Sequence, residues 1–188
     1  MKPASKNATT DAQDAIALLT DDHKTVQKLF KEYEKLTQND ADEEEKGALA
    51  KRICMELAVH AQIEEEIFYP AVRDAIEETD LLNEAEVEHA SAKDLIAEIA
   101  AMAPGEELYD ATVTVLGEYV NHHVKEEQDE MFPQARKAKV DLAALGERML
   151  ARKQELMSQM GMEQEESEDE ETDEGGRSRQ SRSSHART

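Results

Sequence analysis

HAQIEEEIFYP (60–70) and HVKEEQDEMFP (123–133) decide how this chain is read. In both, a histidine is followed four residues later by a glutamate and ten residues later by a proline, with an aromatic residue just before it. Residues four apart share one face of an α-helix, so His60 projects with Glu64, and His123 with Glu127. Each segment closes a longer amphipathic run. The stripe Ala50, Ile53, Leu57, His60, Glu64, Ile67, Phe68 steps by three or four, as does Tyr109, Thr112, Leu116, Tyr119, Val120, His123, Glu127, Met131. Pro70 and Pro133 lack an N–H and predict a break or kink at those points.

Two further histidines lie in apolar stripes upstream. Ile16, Leu19, His23, Val26, Phe30, Tyr33 predict a helix beginning at Asp14, with Thr20 able to cap a fresh start just before His23. Leu82, Ala85, His89, Ala92, Ile96, Ile99 predict a helix over 81–102, ended by Pro104-Gly105. The other predicted helices span 43–69, with a short continuation after Pro70, and 106–132. A shorter amphipathic helix follows over 141–157. His23 precedes His60 by 37 residues and His89 precedes His123 by 34, so the chain reads as two helical hairpins of one plan. The expectation is an all-α fold: an up-down-up-down four-helix bundle over residues 14–140, an accessory fifth helix within 141–162, and disordered tails at 1–13 and 163–188.

If all four stripes face inward, four imidazoles and two carboxylates converge in a dry interior. Buried carboxylates facing one another need a cation. Two metal ions, each taking two histidines and sharing the glutamates, meet that need, and the ligand set suits iron, manganese or zinc. A third His-x-x-x-Glu match, His122 with Glu126, breaks the register: Pro133 is eleven residues on, and the four-residue neighbours of His122 are Glu118 and Glu126. It reads as a surface pair. Glu65 and Glu66 read as solvated acids, with a hydrogen bond between Glu65 and a ligand histidine as the alternative. Tyr119, one turn before His123, reads as core packing, with lining of a ligand pocket as the alternative. Phe68, Tyr69, Met131 and Phe132 read as bundle-end core, and Cys54 as a small packed residue.

Charge and composition narrow the class. There are 44 Asp+Glu against 22 Lys+Arg, a formal net charge of −22. Phosphates are repelled by such a chain, so neither nucleic acid nor an anionic membrane surface is an expected partner. Nine acids fall in EQEESEDEETDE (163–174), followed by an Arg/Ser-rich end. One cysteine excludes an intrachain disulfide, and no stretch is apolar enough for a leader or a span; a cytoplasmic location is expected.

The phrases LLTDDHKTVQKLF, AVHAQIEEEIFYPAVR, EVEHASAKDLI and YVNHHVKEEQDEMFPQAR resemble the hemerythrin-like, HHE cation-binding domain, in the expected order over roughly residues 14–140. The resemblance implies an oxo- or hydroxo-bridged di-iron centre. His23 and His60 would hold one iron, His89 and His123 the other, and Glu64 and Glu127 would bridge them. Oxygen-carrying hemerythrins have a further histidine four residues before the third-helix ligand, where this chain has Ala85. Glu86, three residues before His89, is then a candidate for an additional oxygen ligand; the alternatives are a solvated Glu86 and an open coordination position. The departure favours redox chemistry, sensing, iron handling or peroxide handling over simple oxygen transport. The expected function is a non-haem di-iron protein that binds oxygen, peroxide or nitric oxide. The alternatives are a peroxide-decomposing enzyme at the same site, and a regulatory module switched by its metal, supported by the acidic tail alone.

Overall fold

A computed structural model describes residues 13–73, 75–76 and 79–161; the predicted disordered segments fall almost wholly outside them. The described chain is helical: α1 (Ala15–Gln38), α2 (Glu43–Ile63), α3 (Tyr69–Arg73), α4 (Thr79–Ala101), α5 (Tyr109–Glu126), α6 (Phe132–Lys137) and α7 (Leu142–Met160). Aspartates cap three of the starts. Asp14, Asp42 and Asp141 accept from the backbone N–H of Ala17, Glu45 and Ala144 at 2.8, 2.8 and 3.0 Å. Gly161, at φ 76°, ends α7 in the left-handed conformation that only glycine adopts without penalty.

Three expectations need correction. α1 runs unbroken through His23, because Thr20 turns its hydroxyl back onto the Ile16 carbonyl at 2.6 Å instead of capping a new helix. α5 begins at Tyr109, not 106, because residues 103–109 close into a turn, with Tyr109 N–H donating to the Glu106 carbonyl at 2.9 Å. The two prolines do not stop their helices. A π-helical turn at Glu64–Phe68 joins α2 to α3, and another at Glu127–Met131 joins α5 to α6. In each, the residue before proline donates its N–H to the glutamate carbonyl five residues back, Tyr69 to Glu64 and Phe132 to Glu127. The wider turn relieves the clash proline makes with the preceding turn, and the missing N–H falls at a junction.

α1 packs on α2, α4 on α5, α1 on α5 and α2 on α4, which closes a four-helix ring. α7 lies outside it, against α1, α2 and the first π-turn. Two apolar clusters fill the bundle. One holds Leu19, Ile63, Phe68, Tyr69, Leu82, Phe132 and Met149; the other holds Val26, Tyr33, Ile53, Leu57, Val113 and Leu116. On each of the four ring helices the histidine falls where one cluster gives way to the other. The second cluster is pinned beyond its edge by Asp110, which accepts from Tyr33 Oη at 2.7 Å and Lys46 Nζ at 2.8 Å. Cys54 is half-buried there, and burial pushes its thiol up to about 11, which keeps it unreactive. No helix among the described residues is long and apolar enough to cross a membrane.

Gly146 is where α7 meets the start of α1. A Cβ there would run into the Gln13 carbonyl and lie within 2.9 Å of the Ala15 nitrogen and Asp14 carbonyl carbon, all backbone atoms that cannot swing aside. Gly146→Ala is expected to destabilise by about 1–3 kcal/mol and lower the melting temperature by roughly 2–10 °C. An unchanged thermal melt would contradict this docking of α7.

Candidate metal centre

Between the two apolar clusters lie His23, His60, His89, His123, Glu64 and Glu127, all buried. The four histidines turn Nε2 inward. His23 and His60 approach Nε2 to Nε2 at 3.1 Å, and so do His89 and His123. In both pairs the ring centroids are 4.8 Å apart, with interplanar angles of 69° and 63°. The carboxylates join the pairs. Glu64 Oε2 lies 3.2 Å from His60 Nε2 and 3.4 Å from His89 Nε2. Glu127 Oε2 lies 3.1 Å from His23 Nε2 and 3.6 Å from His123 Nε2. The six residues named from the repeat are thus one cluster, with two overlapping groups each able to hold an ion.

The outward nitrogens are held in a second duplicated pattern. His60 Nδ1 faces Asp22 at 3.5 Å, and His123 Nδ1 meets Glu88 at 2.8 Å. Asp22 and Glu88 each immediately precede a ligand histidine on the first helix of a hairpin, and each serves the histidine of the second. His89 Nδ1 meets Glu65 at 2.9 Å, and His23 Nδ1 meets Gln128 at 3.2 Å. Glu65 and Gln128 each follow one of the two buried glutamates and serve the opposite hairpin. At His89 and His123 the carboxylate on Nδ1 favours the tautomer that leaves Nε2 free for a cation. At His23 the group facing Nδ1 is the Gln128 amide nitrogen.

Tyr69 is the site residue that the stripe missed. Its hydroxyl donates to Glu127 Oε1 at 3.1 Å and lies 3.3 Å from His89 Nε2 and 3.5 Å from His123 Nε2. Five residues after Glu64, it would sit about 140° around an α-helix; the π-turn takes up the extra residue and brings it inward. The matching residue of the other hairpin, Phe132, stacks on His23 at 5.8 Å without a polar atom. A tyrosine where the repeat otherwise carries phenylalanine was the available signal.

Glu86 does not join the cluster. Its side chain is 56% exposed and pairs with Arg73. Ala85, buried, lies in the lower apolar cluster. Glu65 is not simply solvated: its carboxylate meets His89 Nδ1, the alternative the sequence left open, and also accepts from Lys93 at 2.6 Å. His122 is 65% exposed beside Glu126. Tyr119 is not core: it is 47% exposed and borders a cavity of about 40 Å³ that reaches the histidines. Val26, Leu57, Ala92, Ile96, Val120 and Val124 line that cavity.

The electrostatics call for a cation. Both Glu64 oxygens and Glu127 Oε2 are buried without a hydrogen-bond partner. Burial, then the charge of Glu127, raises Glu64 well above the ordinary carboxyl value. Burial pushes the same way on Glu127, but His123 and His23 outweigh it and hold this carboxyl low. Burial pulls His89 down to about 4, and the charge of His123 adds to the shift. His60 is lowered by burial and by His23, against the pull of Asp22. His123 moves up: burial opposes, but Glu127 and Glu88 prevail. The two carboxyls are thus pushed apart, Glu64 toward the neutral form and Glu127 toward the charged one.

Residues 14–135 match the Hemerythrin HHE cation binding domain family. A solved structure of an HHE cation-binding domain-containing protein from Mycobacterium kansasii superposes with a TM-score of 0.65 at 25% identity, over 78% of this chain and 88% of that one. A protein of Nostoc sp. named a DNA nickase is 32% identical over 120 residues. That match covers 64% of this chain but only 32% of the Nostoc protein, so the chain spans about a third of that relative's length.

A raised Glu64 fixes the sign of a pH effect. In metal-free protein its protonated form contributes stability in full below the ordinary value of 4.5, and the contribution is lost as pH rises through the elevated folded value. Glu64→Gln keeps the shape and removes the titration. With chelator present, its melting temperature is expected to fall less than the wild type's between about pH 5 and about pH 8. Equal slopes would contradict the assignment.

Proposed function

The chain belongs to the Hemerythrin HHE cation-binding domain family, and we propose that it is a non-haem di-iron protein that binds oxygen or a similarly small ligand, peroxide or nitric oxide. The observation that carries this reading is two buried carboxylates set among four inward Nε2 atoms, with both Glu64 oxygens and Glu127 Oε2 lacking a hydrogen-bond partner. His23 with His60 and His89 with His123 would each hold one iron, with Glu64 and Glu127 shared between them. Two irons held there would supply one-electron chemistry between ferrous and ferric states and an open position for the ligand. Imidazole and carboxylate donors also accept manganese or zinc; iron is favoured by the family resemblance.

The chain's own residues set what can enter and what can move. The cavity of about 40 Å³ has room for about three water-sized bodies, which suits diatomic molecules and peroxide and turns away larger substrates. Its aliphatic walls limit water at the histidines. Asp22, Glu65, Glu88 and Gln128 orient the imidazoles. Tyr69 holds a proton on Oη, 3.1 Å from Glu127 Oε1, where it can be passed to a ligand oxygen.

That proton favours a second reading, decomposition of peroxide to water and oxygen at the same site. Sensing, oxidative-stress and iron-handling roles are all compatible with such a centre. The nicking activity named for the Nostoc protein is not carried over: a net charge of −22 repels DNA phosphates.

Purified protein is expected to carry two irons per chain and a visible ferric absorption that bleaches with dithionite. Iron-free protein from iron-replete cells would sink the reading. If peroxide is decomposed, oxygen evolution should disappear in His60→Ala and Glu127→Ala. Tyr69→Phe should keep the iron and lose about 10²-fold or more in rate, as expected for loss of a positioned acid. Full activity in all three variants would exclude the enzymatic reading.

A further inference from the structure

Asp22 and Glu88 occupy equivalent places in the two hairpins, and their outer oxygens meet different surroundings. Asp22 Oδ1 accepts from Lys153 Nζ on α7 at 2.5 Å, so a built-in ammonium balances the acid behind His60. Behind His123, Glu88 Oε1 faces no ammonium. It looks into a surface hollow bordered by Asp80, Asn83, Glu84, Val87, His122 and Glu126, none of which is a lysine or arginine. There His122 Nε2 lies 3.1 Å from Glu126 Oε1 and 3.7 Å from Glu88 Oε1. The three donor atoms come from two helices and fall within 4.8 Å of one another.

We propose that Glu88, His122 and Glu126 form an outer site for a divalent cation of the zinc, manganese or ferrous type, which takes the place that the Lys153 ammonium occupies in the other hairpin. The donor set is one imidazole and two carboxylates, suited to a borderline divalent ion with water completing its shell. An exposed His–Glu pair on one helix is common and means little alone. Here the third donor comes from the facing helix, and a hollow lined by further acids draws cations. Glu88 also ties the outer site to the inner one. Its Oε2 orients His123 at 2.8 Å while Oε1 faces the outer ion. Binding at the two sites is therefore linked, and the linkage is reciprocal.

The test is calorimetric titration of Zn²⁺ into the full chain, both as purified and after chelation, with bound zinc counted by metal analysis. One His122-dependent ion per chain is expected in both preparations. His122→Ala should weaken it by about tenfold or more, the least a lost donor contributes. Glu126→Lys, which builds the ammonium in, should abolish it. His185→Ala, in the Arg/Ser-rich end, should leave it unchanged. Equal zinc affinity in wild type and His122→Ala would overturn the proposal, as would no binding beyond the inner ions. Failure of the inner-site reading looks different: the chelated protein would then take up the His122-dependent ion alone.

Discussion

Two carboxylates buried side by side in the bundle set the terms for the rest of this molecule. Glu64 is 0% exposed and Glu127 1%. Each buried, uncompensated charge costs several kcal/mol, against a total stability of about 5–15 kcal/mol for an ordinary domain. Apolar packing above and below the site cannot carry two such charges lightly. The inward imidazoles hold the Glu127 carboxyl low, while burial and the charge of Glu127 raise that of Glu64. A pair of cations would relieve both and satisfy the oxygens that otherwise have no partner.

Much of this was legible from residue spacing. A histidine and a glutamate four apart must share a helix face, and the second copy at 123 and 127 made coincidence a poor account. The inward stripes therefore picked out the four histidines and two glutamates that the fold buries together. What the spacing missed came from backbone geometry and from contacts between helices. Tyr69 lies off the helical stripe unless the chain widens into a π-turn, and no propensity scale announces that turn. Pro70 and Pro133 read as breaks or kinks, and they sit where a wider turn absorbs their missing N–H. Glu86 is one residue away from where Ala85 points, and Arg73 holds it at the surface.

The outer partners show a symmetry that sequence could have disclosed. Asp22-His23 and Glu88-His89 place an acid before the first histidine of each hairpin. Glu64-Glu65 and Glu127-Gln128 place a polar residue after each bridging acid. Only the contacts between helices show that these residues orient histidines other than their neighbours. The symmetry is incomplete where chemistry differs. Tyr69 and Phe132 are equivalent, but one carries a hydroxyl and the other only a ring face. Lys153 closes the acid behind His60, while the acid behind His123 opens on a solvent-facing hollow. The two halves of the centre therefore present unequal surroundings to whatever they hold.

The most direct test of the central claim is diffraction from crystals of iron-replete protein at the iron absorption edge. Two anomalous peaks per chain are predicted, one beside His23 and His60 and the other beside His89 and His123, with Glu64 and Glu127 between them. Absence of anomalous density between the two histidine pairs would contradict the account, whatever metal was found elsewhere on the chain.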